Sequence, residues 1–550
     1  MKINIRILVS ILLCALLTLS GCGAQDVTAQ TDPAAGTDTP EESPSAGTDA
    51  ASASSIFSDR DLAGSYDEAE AVAIMLEGES ASCSSDAVSV DGGQIVIGAE
   101  GVYVVSGTLD DGQIIVNAGE TDKVQLVLKG ADITCGSSAA IYALEADKVF
   151  ITLAEGTENR LANGGEYIAI DDNNIDAVIF AKTDLTLNGS GSLSIDAQAG
   201  HGVVSKDDLV IAGGSYTIAA ASHGLSGKDS VAIASGNFVI SSGKDGIHSE
   251  NSDDLTLGTL YIASGSFDIT SQGDAVSAQG ELQIDGGDFE LYTGEGSASV
   301  EMSTGDDFGG MGGPFGWTDT GAQTQDDEDS VSQKGIKGES AFTISGGSFV
   351  IDSADDCLHA GGAMLIIAGE FELSSGDDAV HCDDALTIEG GSFDIPYCYE
   401  GIEGLSLTIE DGEFDIVSND DGLNAAGGTD SSGFGGFGGR QPDSFDSSSD
   451  SFISINGGSF RIVSSGDCID SNGDLTINGG TLDLTCNGNV DTAIDCDGSY
   501  ANNGGEVSTN DGSENNPGQM GVGQRGDMGG QTPAGPGDRR EPGGQTLGAA

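Results

Sequence analysis

Residues 374–395 read SSGDDAVHCDDALTIEGGSFDI, and closely similar phrases recur along much of the chain. In each copy an aromatic residue follows the glycines, and apolar and polar residues then alternate. Aligning the copies on this aromatic position gives Tyr216, Phe238, Phe267, Phe289, Phe349, Phe371, Phe393, Phe414 and Phe460, with Leu482 in the last copy. The commonest separation is 22 residues. A fixed period of this length indicates a repeat architecture, in which each unit packs on its neighbours.

The alternation within each unit is a strand pattern, and glycine-rich turns separate the short apolar runs. Such a unit cannot bury its inward face alone, so we expect successive coils to stack about 4.7–4.9 Å apart. We therefore predict an all-β fold, a right-handed parallel β-helix of about 15 three-strand coils. Its coils cover roughly residues 85–500 of a domain that spans 61–500. A β-sandwich is the alternative fold, but it does not explain the 22-residue period.

The charge of the chain limits its partners. The 550 residues include 90 Asp and Glu against 18 Lys and Arg, which gives a formal net charge of −72. Such a surface repels nucleic acid and anionic membranes, so nucleic acid is excluded as a partner. Cations, and polyanions that cations can bridge, are the charged partners that remain. We expect the protein to act as a monomer.

The N-terminus predicts export and lipidation. Lys2 and Arg6 precede an apolar run at 7–19, and the tetrapeptide LSGC that ends at Cys22 resembles a bacterial lipobox. The run is shorter than an ordinary transmembrane helix, which is the alternative. We expect residues 1–22 to be a signal peptide and Cys22 to be lipidated. Residues 23–60, rich in Ser, Thr, Ala, Asp and Pro, are then a solvated tether that displays an extracellular domain, so that the membrane is contacted only through the lipid.

Low-complexity segments interrupt and follow the repeats. Two insertions, at about 295–333 and 427–450, are rich in Gly, Ser and Asp. The first contains Phe315 and Trp317, the only tryptophan of the chain, and exposed aromatic rings beside a polar edge suit the binding of sugar rings. A flexible loop without a ligand is the alternative. Residues 503–550, rich in Gly, Pro and Gln, are predicted to be a disordered tail.

Two further positions of the repeat collect polar side chains. Seven residues after the aromatic position lie His223, Asp245, Asp274, Asp356, Asp378, Glu400, Asp421 and Asp467. Ten residues after it lie His248, His359, His381, Glu403, Asn424 and Asp470. Stacking would place each set in a column along one edge of the coils. We call these the first and second columns.

Stacked carboxylates predict a cation site. At about 4.8 Å, two carboxylates repel by roughly 1 kcal/mol in bulk water and roughly 3–4 kcal/mol at an effective dielectric constant near 20. Either their pKa values are raised or cations bind between them, and Ca²⁺ suits an irregular set of oxygen ligands. The alternative is that these side chains only hydrogen-bond the backbone at bends. The predicted ligands are Asp355, Asp356, Asp377, Asp378, Glu400, Glu403, Asp420, Asp421 and Asn424.

Basic residues flank this carboxylate run. Lys334 and Lys337 occupy the two column positions of the unit that follows the first insertion. We expect His359 and His381 to line the edge rather than to ligate the cation, because calcium prefers oxygen. Together with Lys337 they are candidates for contacting carbohydrate. The eight cysteines that remain after Cys14 and Cys22 contain no CxxC pair, so buried thiols are favoured over a zinc site or a disulfide framework.

Several phrases resemble one known family in their order as well as their wording. They include GVYVVSGTLDDGQIIVNA (101–118), QKGIKG (333–338), DDCLHA (355–360), DDAVHC (377–382), YEGIEG (399–404) and SNDDGLNAAGG (418–428). They resemble bacterial extracellular carbohydrate-binding proteins, the cellulose- and pectin-binding β-helix proteins, over roughly residues 70–500. The resemblance implies a right-handed parallel β-helix like that of pectate lyases, bound calcium at the ligands predicted above, and binding of cellulose and acidic polysaccharide.

Three functions fit these observations. The first is a non-catalytic surface protein that binds polysaccharide, pectin-like or cellulosic, with calcium at the acidic edge. The second is a calcium-dependent polysaccharide lyase, for which Lys334 and Lys337 are the candidate bases. The third is a structural spacer. The absence of arginine from 349–424 weakens the lyase, so we rank binding first.

Overall fold

The structure is a computed structural model that describes residues 56–168, 170–300, 302, 332–426, 451–488 and 491–517. These residues are almost entirely β-strand. The helical segments among them are one α-helix, Asp59–Leu62, and the 3₁₀ turns Ser297–Ser299 and Ser513–Asn515. No helix in these ranges has the length and apolar character needed to cross a membrane.

The strands form three ladders, in each of which a strand pairs in parallel with the equivalent strand of the next repeat. The first ladder carries the aromatic position: Glu158–Asn163, Ser192–Ala197, Ser266–Ser271, Asp288–Thr293, Ser348–Ser353, Glu370–Ser375, Ser392–Cys398, Glu413–Ser418, Ser459–Ser464, Thr481–Cys486 and Glu506–Thr509. The second ladder carries the second column: Gln94–Ile97, Gln113–Asn117, Ile141–Glu145, Ala177–Ala181, His201–Ser205, Leu225–Gly227, Ile247–Ser249, Val276–Ala278, Ile336–Gly338, Leu358–Ala360, Leu423–Ala425 and Ile469–Ser471. The third ladder completes each unit: Lys148–Leu153, Asp184–Gly189, Thr259–Ile262, Leu282–Ile284, Phe342–Ile344, Met364–Ile366, Phe452–Ile455, Asp474–Ile477 and Tyr500–Asn502.

Longer strands connect the ladders. They contribute to two ladders each, and are Gly101–Leu109, Lys123–Cys135, Asp208–Ala220, Ser230–Ser242, Val380–Ile388 and Ile402–Ile409. The remaining strands lie at the N-terminal end and are Val72–Gly78, Ala81–Cys83 and Val88–Asp91. Val72–Gly78 pairs antiparallel with Ala81–Cys83, and Val88–Asp91 pairs antiparallel with Gln94–Ile97. The described residues thus share one hydrogen-bonded sheet system whose parallel pairing follows the sequence repeat.

The aromatic position forms a continuous internal stack. Phe349, Phe371 and Phe393 lie in register on neighbouring strands. The ring centroids of Phe349 and Phe371 are 4.9 Å apart and those of Phe371 and Phe393 are 4.5 Å apart, with the rings nearly parallel. All three side chains are buried. The stack continues across the first insertion, because Phe289 and Phe349 are 4.8 Å apart although 60 residues separate them in the chain.

The glycine before each aromatic residue is required by its surroundings. Gly369 has φ of +148°, and a Cβ atom added there would lie 2.7 Å from the ring of Phe371. A side chain would therefore meet both an unfavourable backbone conformation and the stacked ring. This explains why a glycine stands two positions before the aromatic residue in the repeat.

The folded region extends beyond the predicted boundaries at both ends. Phe57 is buried beside Tyr261, and Asp61 accepts hydrogen bonds from Thr186 at 2.6 Å and pairs with Lys148 at 2.7 Å. The segment predicted as tether, 23–60, therefore includes residues that pack on the third ladder. At the other end, Glu506–Thr509 pairs with Thr481–Cys486, so the tail predicted from 503 starts too early.

The described cysteines are thiols, and all except the half-buried Cys83 and Cys496 lie in the interior, as the sequence indicates. All eight that are described are free, and Cys357, Cys382, Cys398 and Cys468 are buried. Burial raises the pKa of Cys398 well above its ordinary value and that of Cys382 to about 11. Such thiols are poorly reactive, which is consistent with a packing role.

Candidate functional site

The strand register brings the second column together on one ladder. Five consecutive pairings join Lys337, His359, His381, Glu403, Asn424 and Asp470 in that order. Each first-column residue stands two positions before the start of such a strand, so the first column runs beside the second. His359, His381, Glu403 and Asn424 are all buried, so this edge is a packed row of polar side chains and not a solvated acidic surface.

Carboxylates of the first column bind the backbone of the next unit. Asp356 Oδ1 accepts the N–H of Asp378 at 3.1 Å, and Asp378 Oδ1 accepts the N–H of Glu400 at 3.2 Å. Asp421 Oδ1 accepts the N–H of Asp467 at 2.6 Å. The turn-forming role, which is the alternative to metal binding, is therefore filled by one oxygen of each of these carboxylates. The second oxygen remains for other partners.

Histidines take that second oxygen in two units. Nδ1 of His359 lies 2.9 Å from Asp356 Oδ2, and Nδ1 of His381 lies 3.0 Å from Asp378 Oδ2. Burial lowers the pKa of His381, but hydrogen bonds to Asp378, Asp383 and Glu403 outweigh it and raise the pKa well above the ordinary value. His381 is therefore a buried imidazolium at neutral pH, and it compensates part of the negative charge.

Lys334 neutralises the first of the doubled aspartates. Its Nζ lies 2.9 Å from Asp355 Oδ1 and 2.6 Å from Asp356 Oδ2, and the three side chains are 6, 8 and 0% exposed. Burial raises the pKa of Asp356, but Lys334 and His359 outweigh this and hold the pKa well below its usual range. Because a lysine cannot accept a hydrogen bond, the N–H of Asp356 donates instead to Asp355 Oδ1 at 3.0 Å. The second aspartate thus replaces the acceptor that Lys334 lacks.

In the unit that contains Glu400 and Glu403, the pKa values of the carboxylates are raised and not lowered. Asn424 Nδ2 donates to Glu400 Oε2 at 2.8 Å, and Nδ1 of His381 lies 3.1 Å from Glu403 Oε2. Burial, then Glu403, Asp378 and Asp421, raise the pKa of Glu400 well above its ordinary value. Burial and Asp378 also raise the pKa of Glu403 to about 7, against the hydrogen bond from His381.

One oxygen in this unit has no hydrogen-bond partner. Asn424 is 3% exposed, and its Oδ1 atom is buried without a donor. An unsatisfied buried amide oxygen costs about 1–3 kcal/mol, so an electropositive partner would stabilise both this oxygen and the ionised forms of the two glutamates. The local donor set is two carboxylates and an amide oxygen, all hard oxygen ligands.

The carboxylates further along the edge are also destabilised. Burial, then Asp470 and Asp420, raise the pKa of Asp421 well above its ordinary value. Burial is likewise the first cause that raises the pKa of Asp467 to about 7 and of Asp470 to about 6. Carboxylate oxygens of Asp467, Asp470 and Asp495 lie within 4.8 Å of one another. In the C-terminal half of the edge, the ionised forms of these carboxylates are therefore disfavoured.

The other residues predicted as ligands lie in two clusters, whereas some of the predicted sugar-binding and lipidation residues lie outside the described part of the chain. Oxygens of Asp355, Asp356 and Asp377 lie within 4.8 Å of one another, as do ligand atoms of Asp378, His381 and Glu403. Phe315, Trp317 and Cys22 lie outside the described residues, as do the signal peptide and most of both insertions.

The two lysines offer little to a lyase. Lys337 pairs with Glu339 at 2.6 Å. Burial lowers the pKa of Lys337, but Asp274 and Glu339 outweigh it and raise the pKa above the ordinary value. A general base must lose this proton readily, and Lys334 is held between two carboxylates.

Two acidic residues were not identified from the sequence. Asp383 Oδ1 lies 3.2 Å from His381 Nε2, and Asp495 joins Asp467 and Asp470. Asp383 lies two residues after His381 and therefore on the same face of the strand. A search of the positions two residues before and after each column residue would find it. Asp495 stands 25 residues after Asp470, so a search at the 22-residue period does not find it.

Comparison with known proteins agrees with the sequence resemblance at the level of the family. The family described as "Carbohydrate-binding domain-containing protein" matches residues 91–379 and 377–517. A relative of the same description from Acetivibrio thermocellus is 39% identical over 137 residues, which are 24% of this chain and 48% of the relative. The chain therefore spans about half the length of the curated relative that it matches.

A solved structure is also similar over part of the chain. It is described as "Structure of the polysaccharide lyase-like protein from C. thermocellum, Gadolinium derivative", with 34% identity and a TM-score of 0.39. The similarity covers 40% of this chain and 91% of that one. The family match, by contrast, extends over most of the described residues. The chain therefore belongs to the family of carbohydrate-binding domain-containing proteins.

Proposed function

We propose that this protein is a non-catalytic polysaccharide-binding protein whose acidic edge holds calcium and, through it, an anionic glycan. The observation that carries the proposal is the unit of Glu400, Glu403 and Asn424. Two buried carboxylates with raised pKa values lie there beside an amide oxygen that has no donor. A hard divalent cation would satisfy all three groups at once.

The proposal narrows the calcium ligands expected from the sequence. Asp355 and Asp356 are already neutralised by Lys334, so a cation gains less there. His381 lies against both Asp378 and Glu403 and neutralises only part of their charge. The favoured ligands are those from Glu400 to Asp470, where neighbouring carboxylates raise one another's pKa values. Calcium bound here would supply positive charge that an acidic sugar chain can approach.

The choice of an acidic glycan follows from electrostatics. A protein with a formal net charge of −72 repels a polyuronate unless divalent cations lie between them. Calcium that retains open coordination positions can accept sugar carboxylates and hydroxyls as further oxygen ligands. A neutral glycan such as cellulose gains no such attraction and serves as the comparison ligand.

The proposal also covers the architecture and the location of the chain. Parallel in-register ladders and the 22-residue period support a right-handed parallel β-helix. The lipobox-like tetrapeptide ending at Cys22 supports an extracellular lipoprotein held to the bacterial membrane by its lipid.

The test is a binding measurement on the purified, chelator-treated protein. Calcium titration should give heat in the wild type, and pull-down by polygalacturonate should require calcium. The double variant Glu400→Gln, Glu403→Gln should lose at least one calcium and bind polygalacturonate more weakly. Glu372→Gln makes the same change at an exposed position of the first ladder and is the matched control.

Two outcomes would contradict the proposal. One is a wild type that gives no calcium heat, and the other is a double variant that binds calcium and glycan as the wild type does. Absorbance of unsaturated product, read from the same incubations, distinguishes binding from lyase activity. Its appearance would favour the lyase.

A further inference from the structure

A second cluster of metal-ligand side chains lies at the other end of the same edge. Ligand atoms of His223, Asp245 and His248 lie within 4.8 Å of one another. Asp245 Oδ2 is 3.4 Å from Nδ1 of His223 and 2.7 Å from Nδ1 of His248. The side chains are 14, 13 and 18% exposed, so an ion could reach them from solvent.

The spacing of these three atoms suits a small cation. With metal–nitrogen bonds of about 2.0–2.1 Å, neighbouring ligand atoms of a tetrahedral ion lie about 3.3 Å apart. The distance of 3.4 Å between His223 Nδ1 and Asp245 Oδ2 matches that value, whereas the 2.7 Å between Asp245 Oδ2 and His248 Nδ1 is a hydrogen-bond distance that lengthens when an ion binds. Nδ1 of His248 lies 2.7 Å from Asp245 Oδ2 and its Nε2 lies 3.2 Å from Glu250 Oε2, so an ion that binds here replaces the proton that His248 shares with Asp245.

The ligand types select the class of ion. Two imidazole nitrogens and one carboxylate oxygen suit zinc, copper or nickel, whereas calcium and magnesium prefer sets of oxygen ligands. The present contacts strengthen this selection. Nδ1 of His223 accepts the N–H of Asp245 at 3.2 Å, and the rings of His223 and His248 stack with centroids 4.3 Å apart. An ion bound at Nδ1 of His223 replaces that hydrogen bond, which strong bonds to imidazole can offset.

We propose that His223, Asp245 and His248 form a binding site for one zinc-class transition-metal ion. The site is independent of the proposed calcium site. Along the second ladder, His248 and Glu403 are separated by five rungs, or about 24 Å. Lys337 lies between them and holds positive charge there. One edge of the protein thus carries a nitrogen-rich site for softer ions and an oxygen-rich site for calcium.

The proposal is tested on the full chain after removal of metals. Titration with ZnCl₂ should give one tight equivalent by calorimetry, and CoCl₂ should give the visible absorption bands of a tetrahedral imidazole site. The double variant His223→Gln, His248→Gln should weaken zinc binding at least about tenfold and abolish the cobalt bands. Asp245→Asn is a second variant that should also weaken zinc binding. It should still fold, because its amide oxygen can accept the Asp274 N–H that Asp245 accepts at 3.0 Å.

The controls separate this site from the calcium site. Glu400→Gln, Glu403→Gln should keep zinc binding, and His223→Gln, His248→Gln should keep calcium binding. His381→Gln changes the same repeat position in a unit where carboxylates surround the ring, so it should leave the cobalt bands unchanged. The absence of zinc heat in the wild type would overturn the proposal, as would unaltered zinc affinity in a folded double variant or in Asp245→Asn.

Discussion

Replacing Glu403 by glutamine should stabilise the metal-free protein at alkaline pH and leave it unchanged at acidic pH. Burial and Asp378 raise the pKa of Glu403 from 4.5 to about 7, so the folded state binds this proton more tightly than the unfolded chain does. Below the unfolded value the group is protonated in both states and contributes nothing. As the pH rises from there to the folded value, ionisation progressively destabilises the fold, and above about 7 the full penalty remains.

The size of the effect follows from the shift. One pKa unit corresponds to about 1.4 kcal/mol, so the penalty from Glu403 is about 3 kcal/mol at pH 8. Glutamine removes this penalty, because it cannot ionise. Its amide oxygen can still accept a hydrogen bond from His381, and His381 also keeps Asp378 and Asp383 as partners. With an unfolding entropy of about 2 cal/mol/K per residue, roughly 400 described residues convert this gain to a rise in Tm of about 3–4 °C.

Thermal unfolding followed by circular dichroism in chelator, at pH 4 and pH 8, is the assay. Glu372→Gln, an exposed change on the first ladder, should shift Tm equally little at both pH values. A variant Glu403→Gln that is less stable than the wild type at pH 8, or that shifts Tm by the same amount at both pH values, refutes the reasoning. In saturating calcium the order should reverse, because only the wild type retains the ligand.

Three other changes test separate parts of the structure. Phe371→Ala opens a cavity in the aromatic stack and should cost about 3–5 kcal/mol, seen as a lower Tm, whereas Val350→Ala at an exposed site should cost little. Lys334→Met leaves the Asp356 carboxylate buried without its cation and should cost about 3–5 kcal/mol at pH 7, a loss that shrinks in acid; an unchanged Tm would contradict the ion pair's role. Cys22→Ala should move the protein from the membrane fraction to the medium, and continued membrane retention would count against lipidation.

The regular part of the fold is predictable from the sequence for a physical reason. In a parallel ladder with a constant step, residues at one offset from the aromatic position must lie on neighbouring rungs. The offset therefore locates Phe349 beside Phe371 and His359 beside His381 without any knowledge of side-chain conformation. The ends are less predictable, because Phe57 and the strand Glu506–Thr509 stand outside the repeat pattern.

Side-chain pairing within the edge is not predictable in the same way. An offset does not show which oxygen of Asp356 faces the backbone and which faces a histidine. Lys334, a candidate base from its position in the sequence, is instead the counter-ion of Asp355 and Asp356. We therefore propose calcium only for the part of the predicted run from Glu400 onward, which Lys334 does not neutralise.

The way each unit binds the next has a consequence for how such chains change in evolution. A first-column side chain accepts the backbone N–H of its successor, and the two long insertions leave the ladders on either side in register. Where the first-column residue is an aspartate that accepts in this way, duplicating or deleting one whole unit therefore preserves the acceptor and the stacked ring at the new junction. The length of the edge, and with it the number and kind of ions it carries, can then vary by gene duplication without redesign of the neighbouring rungs.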